Sequence, residues 1–140
     1  MASELYGLAR QSLLSQSPSI DLDTDTIKIA LVGSGYTRNT ATNGHQYYSD
    51  LGTNVFGTPQ TLTSKTVTGG IFDAADVTFS AVTNSGSVTQ LVIYKDTGTS
   101  ASSPLICIID TATTGLPITP NGGDITVSFD NGTNKIFRLV

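Results

Sequence analysis

Between residues 73 and 139 short β-branched runs alternate with Gly, Pro, Asn and Asp punctuation, and this rhythm leaves few folds open. Val77-Thr78-Phe79, Leu91-Val92-Ile93-Tyr94, Leu105-Ile106-Cys107-Ile108-Ile109, Ile125-Thr126-Val127-Ser128-Phe129 and Lys135-Ile136-Phe137-Arg138-Leu139 each read as a strand. Asn84-Ser85-Gly86, Asp96-Thr97-Gly98, Gly115-Leu116-Pro117, Asn121-Gly122-Gly123 and Asp130-Asn131-Gly132 supply turns between them. Such runs are too short for helices and too regular for loops. The expected fold is all-β, an antiparallel β-sandwich or β-barrel-like domain, with one short N-terminal helix.

Upstream, Thr26-Ile27-Lys28-Ile29-Ala30-Leu31-Val32 reads as a first strand and residues 33–44 as a Gly- and Asn-rich loop. Residues 45–51 suit a short aromatic strand or hairpin arm, and residues 60–68 a wet strand that alternates Thr and Ser with Leu62 and Val67. A three-residue loop, Asp130-Asn131-Gly132, would close the last hairpin with Ile125 opposite Phe137 and Gly132 left-handed, and a two-residue Asn131-Gly132 turn with Val127 opposite Ile136 is the alternative if both faces are covered. The expected helix runs from Ser3, its N-cap, to about Gln16, with Leu5, Leu8, Ala9 and Ser12 on one face and Leu13 at the border. Gly7 weakens it by about 1 kcal/mol relative to alanine. Isolated helices of roughly 12–15 residues are marginal, so this one must dock, on its own sheet or on a partner. Pro18 stops it, which gives residues 1–19 as a helix or arm and residues 20–140 as a single β-domain.

Charge narrows the function. Only 13% of residues are charged, against about 25% in an ordinary domain, and Ser, Thr, Asn and Gly take their place. The net charge is −4 and the seven basic residues are scattered, so nothing tracks a phosphate backbone and nucleic acid is not expected as a partner. No apolar stretch nears the ~20 residues that span a bilayer, and no signal peptide or membrane partner is expected. The single cysteine, Cys107, lies in the most apolar run, which points to a buried structural thiol.

No residues assemble into a catalytic set. Asp21, Asp23 and Asp25 have the rhythm of a calcium loop, but Thr26 stands where glycine is needed and Val32 where glutamate is needed. They read as solvated acids ahead of an edge strand. Gly33-Ser34-Gly35 lacks both the third glycine and the helix of a dinucleotide loop. His45 is the only histidine, and Asp73 and Asp76 have no tryptophan platform for a sugar. The expectation is therefore no enzyme, no metal and no cofactor.

The chain as a whole resembles small virion structural proteins of tailed bacteriophages, of the head decoration or cement type. The resemblance is carried by residues 25–32, Tyr36-Thr37, Ser49-Asp50-Leu51, residues 73–79, residues 91–98 and residues 115–127. It implies a β-rich subunit on the capsid exterior that bridges capsomers, a major capsid protein as partner, and a homotrimer. It carries no active-site motif. The alternative is a binding module of the tail tip, baseplate or fibre, which would use tyrosines because they give large contact area for little entropy. Partner contacts are expected from Leu5, Tyr6 and Leu8 in the N-terminal segment and from Tyr36, Tyr47 and Tyr48 in the loop.

Overall fold

The computed structural model describes residues 4–110 and 116–139. In chain order the regular elements are β1 (Glu4–Leu5), α1 (Gly7–Ser15), β2 (Ile27–Gly33), β3 (Val55–Thr61), β4 (Thr66–Thr68), β5 (Ile71–Asp73), β6 (Val77–Phe79), β7 (Val88–Lys95), β8 (Leu105–Ile109), β9 (Ile125–Val127) and β10 (Phe137–Arg138). A five-stranded sheet has the order β1-β8-β7-β2-β3, with every neighbouring pair antiparallel. The expected all-β fold with one short N-terminal helix is the fold found.

Strands β2, β7 and β8 are almost continuously apolar because the sheet is covered on both faces. Ile29 lies opposite Ile93, and Ile93 opposite Cys107, all turned to one core. Ala30, Val92 and Ile108 form the next row and face the other core. A bulge at Ile106 interrupts the β7–β8 register between Ile93 and Tyr94, so that Ile106 and Cys107 both join the first core.

The first core is closed by a second layer: a three-stranded sheet in the order β10-β5-β4 and the two-stranded pair β6–β9. Phe72, Val77, Phe79, Ile125 and Phe129 project from this layer onto Ile29, Leu31, Leu91 and Ile93. This is a two-layer sandwich. Between β4 and β5 the chain reverses through Gly69 and Gly70, both left-handed at φ 60° and 79°. That is the two-residue turn whose twist matches the strands it joins, and it needs residues without a Cβ penalty.

Several expectations give way. Strands β9 and β10 do not pair: β9 adds to β6, and β10 adds to β5 with Phe137 opposite Phe72. Asp76 Oδ1 accepts the Phe129 N–H at 2.9 Å, and Phe137 packs on Phe72 with ring centroids 5.5 Å apart. These long-range contacts outweigh a local hairpin, and the left-handed residue of the connection is Lys135, not Gly132. Residues 60–68 hold the end of β3, a turn in which Leu62 is buried and Ser64 is left-handed, and then β4. The aromatic stretch forms no strand; Tyr47 makes an isolated bridge to Pro104 and Tyr48–Leu51 is a 3-10 turn. Strand β2 lies inside the sheet, not at its edge.

At the N-terminus the helix begins only at Gly7, after Glu4 and Leu5 have paired with Ile108 and Cys107. Ser3, the expected cap, lies outside the described residues, as does Gly115 of the Gly-Leu-Pro turn. Gly7, Leu8, Ala9 and Ser12 form the buried face, so the helix docks on its own domain. Left-handed Gln16 ends it, with its N–H donated to the Ser12 carbonyl. Gly7 is required where it stands, since a Cβ there would meet the Ala41 carbonyl oxygen at 2.5 Å.

Candidate functional site

The second core carries the polar groups that the sequence left scattered. Tyr6, fully buried, donates its backbone N–H to Ile106 and brings its ring under the sheet beside Tyr36, Leu51 and Val92. The Tyr6 and Tyr36 hydroxyls are 2.9 Å apart, and the Tyr36 hydroxyl lies 2.8 Å from His45 Nδ1. Burial pushes the Tyr6 and Tyr36 phenols upward, so both stay protonated and serve as hydrogen-bond donors. His45 thus ends a polar chain that enters the core from the loop. The chain satisfies buried hydroxyls, which is what a packed tyrosine requires.

Arg38 sits at the same end, 3.4 Å from Asp110 and 3.9 Å from Glu4. A further polar edge lies by β7, where Tyr48 stacks on Tyr94 at 4.5 Å and Lys28 reaches Asp96 at 2.7 Å. The Lys28 ammonium holds the Asp96 carboxyl below the usual carboxylate range. Cys107 is buried, and loss of solvation pushes its thiol up to about 12, as an inert structural cysteine requires. The acids of residues 21–25 are turned on their own backbone: Asp21 Oδ1 accepts from Asp23 and Thr24, and Asp25 Oδ2 accepts from Asp21 and pairs with Lys95. Among the described residues no three His, Cys, Asp or Glu side chains are placed to hold a metal ion.

Three of the six expected contact residues are spent inside the fold. Tyr6, Leu8 and Tyr36 are 0%, 8% and 4% exposed and cannot meet a partner without unfolding the second core or the helix dock. Their apolar bodies made them candidates, and the same property put them inside. Tyr47 and Tyr48 remain half-buried on the loop. Leu5, half-buried, lies in a groove that the sequence did not reveal.

That groove, of about 550 Å³, runs between α1 and the edge strand β4. Leu5, Ile106, Leu13, Leu22, Val67 and Phe137 give it an apolar lining. Two of its lining residues are exposed large hydrophobics, Leu13 at 50% and Val67 at 47%, and elsewhere Leu14 is 90% and Leu139 47% exposed. At about 100° per residue, Leu13 falls at the border of the face formed by Leu8, Ala9 and Ser12, and Leu14 falls on the opposite side of the helix. That was the legible signal. Val67 was hidden in a threonine-rich run, and its importance depends on its row in the sheet, level with Phe72 and Phe137.

No helix of the described residues is long and apolar enough to cross a membrane. No protein-family model matches this chain, and no curated protein matches it in sequence.

Proposed function

We propose that this protein is a virion decoration or cement subunit of a tailed bacteriophage, which binds the outer surface of the head and stabilises contacts between capsomers. The observation that carries the reading is the exposed apolar pair Leu13 and Val67 in the lining of an open groove, on a chain of which only 13% of residues are charged. Large exposed apolar side chains beside a concave lining mark a surface for a partner. A low-charge surface suits dense packing against neighbours, because few ions lose their hydration on contact. The resemblance of the whole sequence to phage structural proteins supplies the identity of that partner, a major capsid protein, and the arrangement as a homotrimer.

The acidic balance supports an exterior position, since a net charge of −4 is repelled by packaged DNA. Repetition does the rest: weak contacts, multiplied over a shell, sum to a large stabilisation. A role in catalysis finds no support in a lone histidine committed to Tyr36. The alternative is a tail-tip, baseplate or fibre module that uses half-buried Tyr47 and Tyr48.

Electron microscopy of particles with and without the protein separates these readings. Density on the head shell, with reduced resistance of depleted particles to heat or osmotic shock, is the expected result. Density confined to the tail overturns the head assignment and favours the alternative.

A further inference from the structure

The groove between α1 and β4 is built for a particular kind of segment. Thr68 and Ile71 flank the two-residue Gly69-Gly70 turn, so they form a hydrogen-bonded pair, and the next pair, Val67 with Phe72, does not exchange backbone bonds. The Val67 N–H and C=O therefore point away from β5. Strand β4 ends the order β10-β5-β4, and all its residues are exposed, so these groups face an open edge.

The Val67 side chain lines the groove, as does Phe137 two strands away. A strand laid along β4 would thus bond to Val67 and send alternate side chains into the same hollow. A helix suits the space less well. At about 10–12 Å across, it would fill a groove of about 550 Å³ within roughly one turn.

Charge completes the description. The only ionisable side chains in the lining are Asp21 and Asp23, on the turn opposite Val67's strand. Both are exposed, and no lysine or arginine shares the lining with them; Lys65, just ahead of β4, is the near cation, and its ammonium is turned to the Asp25 carbonyl. An incoming apolar strand with an acidic flank would meet repulsion there, and one with a basic flank would meet attraction.

We propose that β4 and the groove take an extended segment of the partner protein by strand addition, with alternate apolar residues and a flanking lysine or arginine that meets Asp21 and Asp23. The inference rests on the reading of the chain as a docking subunit. It adds the chemistry and the conformation of what is docked.

The test is a nuclear magnetic resonance titration of the full chain with a synthetic, end-capped heptapeptide that alternates valine and threonine and carries lysine at both ends. Saturable shifts at the Thr66, Val67 and Thr68 amides and at the Leu13 and Leu22 methyls are expected. The same peptide with glutamate ends binds about threefold more weakly or worse, and Asp21→Asn with Asp23→Asn removes that difference. Val67→Pro abolishes binding while the remaining spectrum keeps its dispersion, because proline is tolerated where the N–H faces outward.

Shifts confined to other surfaces, or equal binding of the two peptides, overturn the proposal. So does an oligomer of this chain that Val67→Pro dissociates, since a second copy would then fill the groove. A parallel measurement on purified heads keeps the two readings apart. Retention of Val67→Pro on heads sinks the strand-addition site and leaves the decoration role standing. Peptide binding at β4 by a chain that does not bind heads sinks the decoration role and leaves the site.

Discussion

The two faces of the central sheet are covered by different means. On one face, Phe72, Phe79 and Ile125 from the second strand layer meet Ile29, Leu31 and Ile93 in a core of hydrocarbon and one thiol. On the other, Tyr6, Tyr36 and Leu51 arrive from the N-terminus and a long loop, and their hydroxyls must be satisfied inside the protein. The first face depends on shape alone. The second depends on shape and on a hydrogen-bond chain, and so it is specified by residues far apart in sequence.

The largest expected effect falls on the first face. Phe72→Ala removes a fully buried ring at the junction of the two layers and should cost about 3–5 kcal/mol in urea denaturation. A loss no larger than that of an exposed substitution would mean that the second layer is not packed as described. On the second face, removal of one hydroxyl should depend on which one goes. Tyr36→Phe strands the Tyr6 hydroxyl in the core and should cost about 1–3 kcal/mol, whereas Tyr6→Phe removes the buried end of the chain and should cost under about 1 kcal/mol. The reverse order would break the account of that face.

Gly7→Ala sharpens the same contrast through its sign. Helix propensity alone gives a gain of up to about 1 kcal/mol. The loop at Ala41 and Thr42 lies where the methyl group must go, so the variant should instead lose about 1–3 kcal/mol. Thermal denaturation that shows a more stable variant would refute the close approach.

The thiol of the first face should make stability depend on pH. Cys107 is raised from an ordinary value of 9.0 to about 12 in the folded chain, so above pH 9 the unfolded chain releases a proton that the folded chain keeps. Its stabilisation is complete below the unfolded value and is lost as pH rises toward the folded one, by up to about 1.4 kcal/mol per pH unit. Cys107→Ala should flatten that slope just above pH 9, before the tyrosines titrate. An unchanged slope would remove Cys107 as its source.

The smallest effect on stability should come from Leu14→Ser, within about 0.5 kcal/mol, because the side chain is 90% exposed. Under the proposed decoration role, its effect should appear instead as weaker retention on purified heads. Full retention would detach Leu14 from the docking surface.

Much of this was written in local pattern. β-branched runs with turn residues between them marked the strands at residues 77–79 and 105–109 and the centre, residues 91–94, of the longer β7, since breakers and β-branched runs act within a few residues. A buried Cys107 and a buried helix face of Leu8, Ala9 and Ser12 were legible for the same reason. Tertiary structure alone decided the partners. Ile125 pairs across to Phe79 and Phe137 to Phe72, because side-chain burial over long separations outweighs one local loop. It also sorted the tyrosines, taking Tyr6 and Tyr36 into a core while Tyr47 and Tyr48 stayed half-buried at the surface. The groove belongs wholly to this second class. Leu5, Leu13, Val67 and Phe137 converge only when a helix, an edge strand and a C-terminal strand are brought together, and no local pattern encodes that meeting.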